Sequence, residues 1–447
     1  MSPTVAIQAH GCKLNQAEAE ALTLRFLQAG YTEASPESGP DVYVLNTCTV
    51  THVADRKARQ ALRRARRANP DGLVVATGCY AHRATIELAE MPEVSLVVDN
   101  VDKMRLPQIL GIDSYGSASD APRPAGRTRS MIKIQEGCDQ VCAYCIVPKT
   151  RGRQRSLLIK ELLADVAQRV AVGYREVVLT GTQLGSYGHE FGPAPRGRTW
   201  YEELVRRILA ETGVQRLRFS SLQPQEVTPG MVELYASGQL CPHVHMPLQS
   251  GSDAVLKRMR RRYDTGLYAR TVARLREAAP AMAITTDVIV GFPGETGEEY
   301  EEGLRFIETM EFSDMHVFPY SRRPGTSAAF LEGHIDPRAK RARERQMLDL
   351  ARRTAGRRRQ ALVGQRATVL WEAAKDVDGA PAWSGLTEHY VRVYTRSDGD
   401  LGNRIEPVTL TALAPDGMWC EPVASRSRGP QQPELCQHSF DNSRVEC

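Results

Sequence analysis

The chain has 447 residues, of which 42% are hydrophobic and 25% charged, enough apolar material for two or three packed cores. No window reaches the ~18 uncharged apolar residues that a membrane span needs, and Met1 to His10 lack a basic segment followed by an apolar one. These features set the expectation of a cytoplasmic protein without a membrane-spanning helix. Net charge is only +5, yet the positive charge is clustered in three runs. One holds Arg56, Lys57, Arg59, Arg63, Arg64, Arg66 and Arg67; another holds Lys257, Arg258, Arg260, Arg261 and Arg262; the third extends from Arg338 to Arg359. Such runs are ordinarily solvated helix faces, but three on one chain point to a polyanionic partner such as RNA.

In chain order, short apolar runs predict strands at Thr4–Ala9, Asp41–Asn46, Leu73–Thr77 and Ser95–Val98. Helices are predicted at about Asn15–Ala29, Val53–Arg67 and from Cys79 to about Ala89. This alternation predicts a doubly wound parallel α/β domain over residues 1–110. A Gly/Pro/Ser/Asp-rich linker without periodicity covers 111–130. A second βα series follows over 131–360, with strands at Met131–Gln135, Glu176–Leu179, Arg216–Ser220, His243–Leu248, Ile284–Val290 and His316–Pro319. Six units predict an incomplete (β/α)6 barrel, closed off by a basic helix from about Asp336 to Gln360. Short β runs at Arg366–Trp371, Tyr390–Tyr394, Ile405–Leu410 and Met418–Val423 predict a small all-β barrel over 361–424. The polar tail, 425–447, is expected to be disordered.

Ten cysteines in a reducing compartment argue for metal or redox use rather than disulfides. Cys12, Cys48 and Cys79 each follow a predicted strand, where ends of parallel strands lie side by side. One such cysteine would be ordinary core material; three at equivalent points favour a shared metal site. Cys138-x3-Cys142-x2-Cys145 follows the first barrel strand, on the face where barrels keep their active sites. A cubane cluster takes one thiolate per iron, so three cysteines and no nearby fourth leave one iron open for chemistry. A structural zinc site would prefer paired cysteine spacing.

The loop Cys138-Asp139-Gln140-Val141-Cys142-Ala143-Tyr144-Cys145, with its aromatic before the last cysteine, resembles that of the radical S-adenosylmethionine superfamily. The resemblance implies that the open iron binds the methionine part of S-adenosyl-L-methionine and that an electron from the cluster yields a 5′-deoxyadenosyl radical. It further implies cofactor-contacting positions at Tyr144, at Thr180-Gly181-Thr182, at Ser220-Ser221 and at Gln249. The segment Ile289-Val290-Gly291-Phe292-Pro293-Gly294-Glu295 resembles the adenine-contacting segment, and Ile289, Gly291, Pro293 and Glu295 are the residues expected to act there.

From about Thr4 to Val423 the chain resembles the methylthiotransferase branch, which joins a cysteine-bearing α/β domain, a radical core and a C-terminal TRAM barrel. That branch implies two [4Fe-4S] clusters, the auxiliary one on Cys12, Cys48 and Cys79 carrying the sulfur to be delivered. The segments Gly11-Cys12-Lys13-Leu14-Asn15-Gln16, Asn46-Thr47-Cys48-Thr49-Val50-Thr51 and Phe318-Pro319-Tyr320-Ser321 are most similar to enzymes acting on N6-threonylcarbamoyladenosine at tRNA position 37. The implied partners are a tRNA anticodon stem-loop, an electron donor such as a flavodoxin or ferredoxin, and a sulfur source; a monomer is expected. Alternatives are isopentenyladenosine in tRNA, an aspartate of a ribosomal protein, or an iron–sulfur RNA-binding protein without activity. Gln223 departs from the family pattern, which has a carboxylate there, and is assigned no role. Trp371, Trp383, Tyr390 and Tyr394 are either base-stacking residues or the small barrel's own core, and Arg392 and Arg404 are phosphate candidates. His243 and His245 are expected to be structural, and Cys241 to be packing.

Overall fold

In the computed structural model, residues 2–112 and 128–423 are described. The expected disorder of 425–447, the tail cysteines Cys436 and Cys447, and most of the expected linker lie outside the described residues. The first unit is a parallel sheet of β1 (Thr4–Ala9), β2 (Thr32–Glu33), β3 (Val42–Thr47), β4 (Leu73–Gly78) and β5 (Leu96–Val97), in the order β2-β1-β3-β4-β5. This is one of the two common doubly wound orders, and its switch point lies between the ends of β1 and β3. The edge strand β2 has only two residues, too few to leave a sequence pattern.

Helix α1 (Lys13–Gln28) starts directly after Cys12, and α2 (His52–Ala68) is capped by Thr51, whose hydroxyl accepts the Ala54 N–H at 3.1 Å. On α2 the inward residues Ala58, Leu62 and Ala65 recur at helical spacing, while Arg56, Lys57, Arg63, Arg64 and Arg67 are exposed. The first basic run is therefore a solvated helix face. The helix expected from Cys79 to Ala89 is two: α3 (Cys79–Arg83) ends where Ala84 leaves helical geometry, and Thr85–Ala89 begins anew.

The second unit carries six parallel barrel strands: β6 (Arg129–Lys133), β9 (Glu176–Thr180), β10 (Arg216–Phe219), β11 (His243–His245), β12 (Ala283–Val290) and β13 (Asp314–Pro319). A short hairpin of β7 (Gln135–Glu136) and β8 (Arg155–Ser156) flanks the first of them. They form two three-stranded sheets, β6-β9-β10 and β11-β12-β13, joined by a parallel bridge from Ser221 to His245. Among the described residues the barrel stays open between β13 and β6.

Period-two alternation divides each strand between a helix-covered face and the lumen. Val177, Leu217, Val244, Ile284, Val288 and Met315 pack into the large core beneath the helices. Residues of the opposite parity line the lumen, among them Arg129, Glu176, Arg218, His243, His245, Asp287 and His316. The lumen is thus polar, unlike the packed interior of a full barrel.

The third unit is a closed barrel of β14 (Arg366–Val377), β15 (Ala380–Thr387), β16 (Arg392–Thr395), β17 (Ile405–Ala414) and β18 (Gly417–Pro422). Strand β15, absent from the sequence expectation, pairs with a β14 that runs on to Val377. Trp371 is fully buried in this barrel's core, and Tyr394 is buried with its hydroxyl donating to Asp416 at 2.7 Å. Neither is free to stack on a base. Arg392 is paired with Glu372, which removes it as a phosphate contact. Cys241 and Cys420 are buried as packing residues.

Candidate active site

The strand ends that follow β1, β3 and β4 bring Cys12, Cys48 and Cys79 together at the switch point. A Cβ added at Gly11, where φ is +95°, would lie 2.6 Å from Cys48 Sγ, so only glycine lets the two loops approach. Burial pushes the Cys48 thiol up to about 12, and the neighbouring Cys12 and Cys79 sulfurs add to the rise. Cys48 and Cys79 are buried, whereas Cys12 is accessible.

Behind this trio lies Arg151, whose guanidinium gains from the nearby Cys79 and Cys12 sulfurs. Its Nη1 donates to Glu18 Oε1 at 2.8 Å, and its Nη2 donates to Asn15 Oδ1 at 2.6 Å and Glu18 Oε2 at 3.0 Å. Arg151 belongs to the second unit, at the end of the helix Val147–Arg151. That helix begins two residues after Cys145. Five helical residues span about 7.5 Å, so a single short rod joins the two cysteine trios. Asn100 Nδ2 donates to the Thr150 carbonyl at 2.6 Å, fixing the same helix to the first unit.

The loop of Cys138, Cys142 and Cys145 crosses the top of the lumen. Burial raises the Cys138 thiol, and it pushes Cys145 up to about 12, with the other loop sulfurs contributing. Gly137, at φ +72°, fits only as glycine, since a Cβ would lie 2.0 Å from the Arg153 carbonyl oxygen. Arg261 Nη1 donates to Cys142 Sγ at 3.1 Å, and its Nη2 donates to Gln223 Oε1 at 3.0 Å. Gln223 Nε2 donates in turn to Gln183 Oε1 at 2.7 Å and Gln140 Oε1 at 3.1 Å. The amide that departs from the family pattern is thus a link in a polar belt around this loop. Sequence reasoning placed Arg261 in a basic run facing solvent; it misses the inward one because run composition carries no facing information. Arg258 of the same run is paired with Glu299.

Both donor sets fit iron–sulfur clusters. Each offers three converging cysteine sulfurs with a guanidinium alongside, a positive group suited to the negative charge a thiolate-bound cluster would bring. The positions expected around S-adenosylmethionine lie at successive strand ends. Among the described residues Thr182 Oγ1 is buried without a hydrogen-bond partner, and its N–H donates to Gln135 Oε1 at 3.1 Å. Gly181 has no room for a Cβ, which would sit 2.8 Å from Leu184 Cδ2. Thr180 and Ser220 are buried neighbours at 3.5 Å, and Ser221 forms the bridge between the sheets. Gln249 is held at φ +70°, a conformation rare for a side chain of this kind and concentrated at functional sites. Ile289 packs with Tyr144 in a buried cluster around Phe292, and Pro293 is buried beside it. Glu295 accepts the Gly291 N–H at 2.7 Å and pairs with Arg343 at 2.6 Å. Its carboxylate therefore braces the Gly291 turn.

Below this level the lumen holds His245 and His316, whose rings reach Asp287 at 3.2 and 3.1 Å. His243 is buried and stacks on Tyr390 with ring centroids 4.3 Å apart. Tyr390 reaches in from the small barrel and closes the floor.

Residues 4–99 match the family described as uncharacterized protein family UPF0004, and residues 132–307 match the radical SAM superfamily. The radical S-adenosylmethionine methyltransferase TsrM of Kitasatospora setae shares the fold at a TM-score of 0.51 and 16% identity, over 73% of this chain and 77% of that one. These matches define a radical S-adenosylmethionine protein. The threonylcarbamoyladenosine tRNA methylthiotransferase MtaB of Bacillus subtilis is 38% identical over 91% of this chain and 93% of its own. A tRNA-2-methylthio-N(6)-dimethylallyladenosine synthase of Akkermansia muciniphila is 31% identical over 95% of this chain and 100% of its own. The chain belongs to the radical S-adenosylmethionine methylthiotransferase family. Membership entails S-adenosylmethionine and an iron–sulfur cluster as cofactors. Among the described residues no helix is long and apolar enough to cross a membrane.

Proposed function

We propose that this chain is a tRNA methylthiotransferase acting at C2 of N6-threonylcarbamoyladenosine at position 37, beside the anticodon. The observation that carries this reading is the pair of cysteine trios joined by Val147–Arg151 above one polar lumen. Cys138, Cys142 and Cys145 would hold the radical cluster with S-adenosylmethionine, and Cys12, Cys48 and Cys79 a second one. Bound there, the two groups supply the radical that activates a C–H bond and the sulfur that replaces the hydrogen.

The protein's own residues do the positioning. Arg261 donates to the Cys142 sulfur and ties the loop to Gln223. Arg151 steadies the other trio from behind through Asn15 and Glu18. Thr182, Ser220 and Gln249 offer polar groups to S-adenosylmethionine, and Tyr144, Ile289 and Pro293 supply an apolar wall. Tyr390 plugs the floor and keeps water out of the lumen.

An adenosine in a single-stranded loop can be splayed from its neighbours into such a lumen. A cavity of about 400 Å³ beside α2 is lined by His52, Arg56, Arg59, Arg83 and Arg323, with Asp55 and Glu87 pairing Arg83, Arg323 and Arg59; the surplus of cations suits an RNA phosphate. Arg323 Nε and Nη1 are buried there without hydrogen-bond partners among the described residues. Arg56→Ala/Arg59→Ala is expected to weaken stem-loop binding for every sequence alike. Titration against salt should show the slope of log K falling by about 1.

The dimethylallyladenosine synthase among the relatives keeps a second reading in view. The polar lumen favours the first, because a hydrocarbon substituent would leave His245, Asp287 and His316 facing apolar groups. Mass spectrometry of tRNA nucleosides from cells with and without the gene separates the two. Methylthio-threonylcarbamoyladenosine should vanish with the gene; loss of the methylthio-dimethylallyl nucleoside instead would establish the second reading.

A further inference from the structure

Among the described residues, the lumen carries one cation with no hydrogen-bond or ion-pair partner. Lys13 is the first residue of α1 and follows Cys12 directly. Its Nζ lies 5.2 Å from the centroid of the Tyr390 ring, which Arg218 and Arg129 approach at 5.0 and 5.9 Å. Each of the two arginines has a carboxylate partner at 3.0 Å, Arg218 in Glu176 and Arg129 in Glu372, although Glu176 is shared with Arg216 and Glu372 with Arg392. Among the described residues Lys13 has no hydrogen bond or ion pair, only the ring. Asp287 is within electrostatic reach of Lys13, but its carboxylate is already engaged by His245 and His316. An ammonium held between two guanidiniums, partly shielded from water, is unfavourable until an anion arrives.

We propose that Lys13 is the residue that selects the substrate, receiving the carboxylate of the threonylcarbamoyl group. Asp287 and His316 then meet that group's hydroxyl and N–H donors. This rests on the threonylcarbamoyladenosine reading above. The two known substituents of this enzyme family's relatives differ in chemistry: one ends in a carboxylate and a hydroxyl, the other is a branched hydrocarbon. In adenine, C2 and C6 both flank N1, so the reacting C2–H and the N6 substituent leave the ring on the same edge. A side chain next to Cys12 is therefore placed to read N6 while the cysteine trio serves C2. A hydrocarbon there would leave Lys13 without an anion and would bury the Asp287–His316 pair against apolar groups, the strongest form of rejection a polar site has.

The test is equilibrium binding of three anticodon stem-loops to the full chain with its clusters reconstituted and its iron content checked. The stem-loops carry threonylcarbamoyladenosine, its methyl ester, or dimethylallyladenosine. The native protein should bind the acid about 10- to 100-fold more tightly than the ester, the range of one charge-assisted contact. Lys13→Met should bind acid and ester equally, and Lys13→Arg should recover most of the preference. If Lys13→Met keeps the native acid-to-ester ratio, however weakly it binds, the lysine is only structural and the proposal is overturned. If the native protein prefers the threonylcarbamoyl loop but does not distinguish acid from ester, the proposal alone fails. If it prefers the dimethylallyl loop, the substrate reading fails and takes the proposal with it.

Discussion

A Cys12→Ala/Cys48→Ala/Cys79→Ala variant is expected to consume S-adenosylmethionine but to form no methylthio product. The two cysteine trios sit on different units, each with its own strand ends and its own arginine. Removing the first trio leaves Cys138, Cys142, Cys145 and the Arg261–Gln223 link intact. Iron should fall from about eight to about four per chain, one cubane's worth. Methyl transfer and product formation should both be lost, since the proposed function gives the sulfur-carrying cluster to that trio. The measurement is iron analysis together with chromatography of 5′-deoxyadenosine and of the product nucleoside. Persistence of methylthiolated product in the triple variant would remove the second cluster from the account.

The second large effect is on stability. Glu18 is almost wholly buried and is met by Lys103 at 2.5 Å, Arg151 at 2.8 Å and Lys133 at 3.3 Å, with Asn46 Nδ2 donating at 3.2 Å. Lys103 is fully buried and belongs to the first unit, while Arg151 and Lys133 belong to the second. Glu18 is therefore one of the anions, with Glu20 and Asp55, that hold the two units in register, and it is the one beside the cysteine trios. Desolvation would raise its pKa, but Lys103 and Arg151 outweigh it and hold the carboxyl well below the ordinary range. Glu18→Gln keeps the shape and strands two or more buried cations. Breaking such a network costs about 3–5 kcal/mol, which denaturant unfolding would read as a lower midpoint. The sign with pH follows from the depressed value. The contribution is complete above the ordinary glutamate pKa and is lost as pH falls through the lower folded one. The native protein should therefore lose stability in acid, and Glu18→Gln should lose less over the same range. An unchanged midpoint at neutral pH would contradict the role given to Glu18.

Much of the fold and site was legible because two signals coincided. Strands β1, β3 and β4 are short apolar runs, each followed within three residues by a cysteine, so both topology and convergence followed from spacing. Likewise Cys138, Cys142 and Cys145 stand within eight residues, and local spacing carries local geometry. Long-range polar contacts left no such trace. Arg261 reads as one basic residue among five, yet it alone of that run meets Cys142. Glu18 and Lys103 look like surface charges until the sheet is folded over them. Strand β15 was missed because Pro381, Ser384 and Gly385 weaken its β pattern. A usable signal was nevertheless present: Asp378-Gly379, both at positive φ, is a tight-hairpin pair between the two strands. The aromatics of the small barrel were ambiguous by composition, and packing resolved Trp371 and Tyr394 as core while Tyr390 closes the lumen.

The central claim is tested most directly by one reaction. The purified chain, reconstituted with iron and sulfide, is incubated without oxygen with a reductant, S-adenosylmethionine bearing a deuterated methyl group, and a stem-loop carrying threonylcarbamoyladenosine. Mass spectrometry of the digested RNA should show a methylthio group on the modified adenine, its methyl fully deuterated and its sulfur replacing the hydrogen of C2. Recovery of the unaltered nucleoside, while a dimethylallyladenosine stem-loop is converted under the same conditions, would contradict the account.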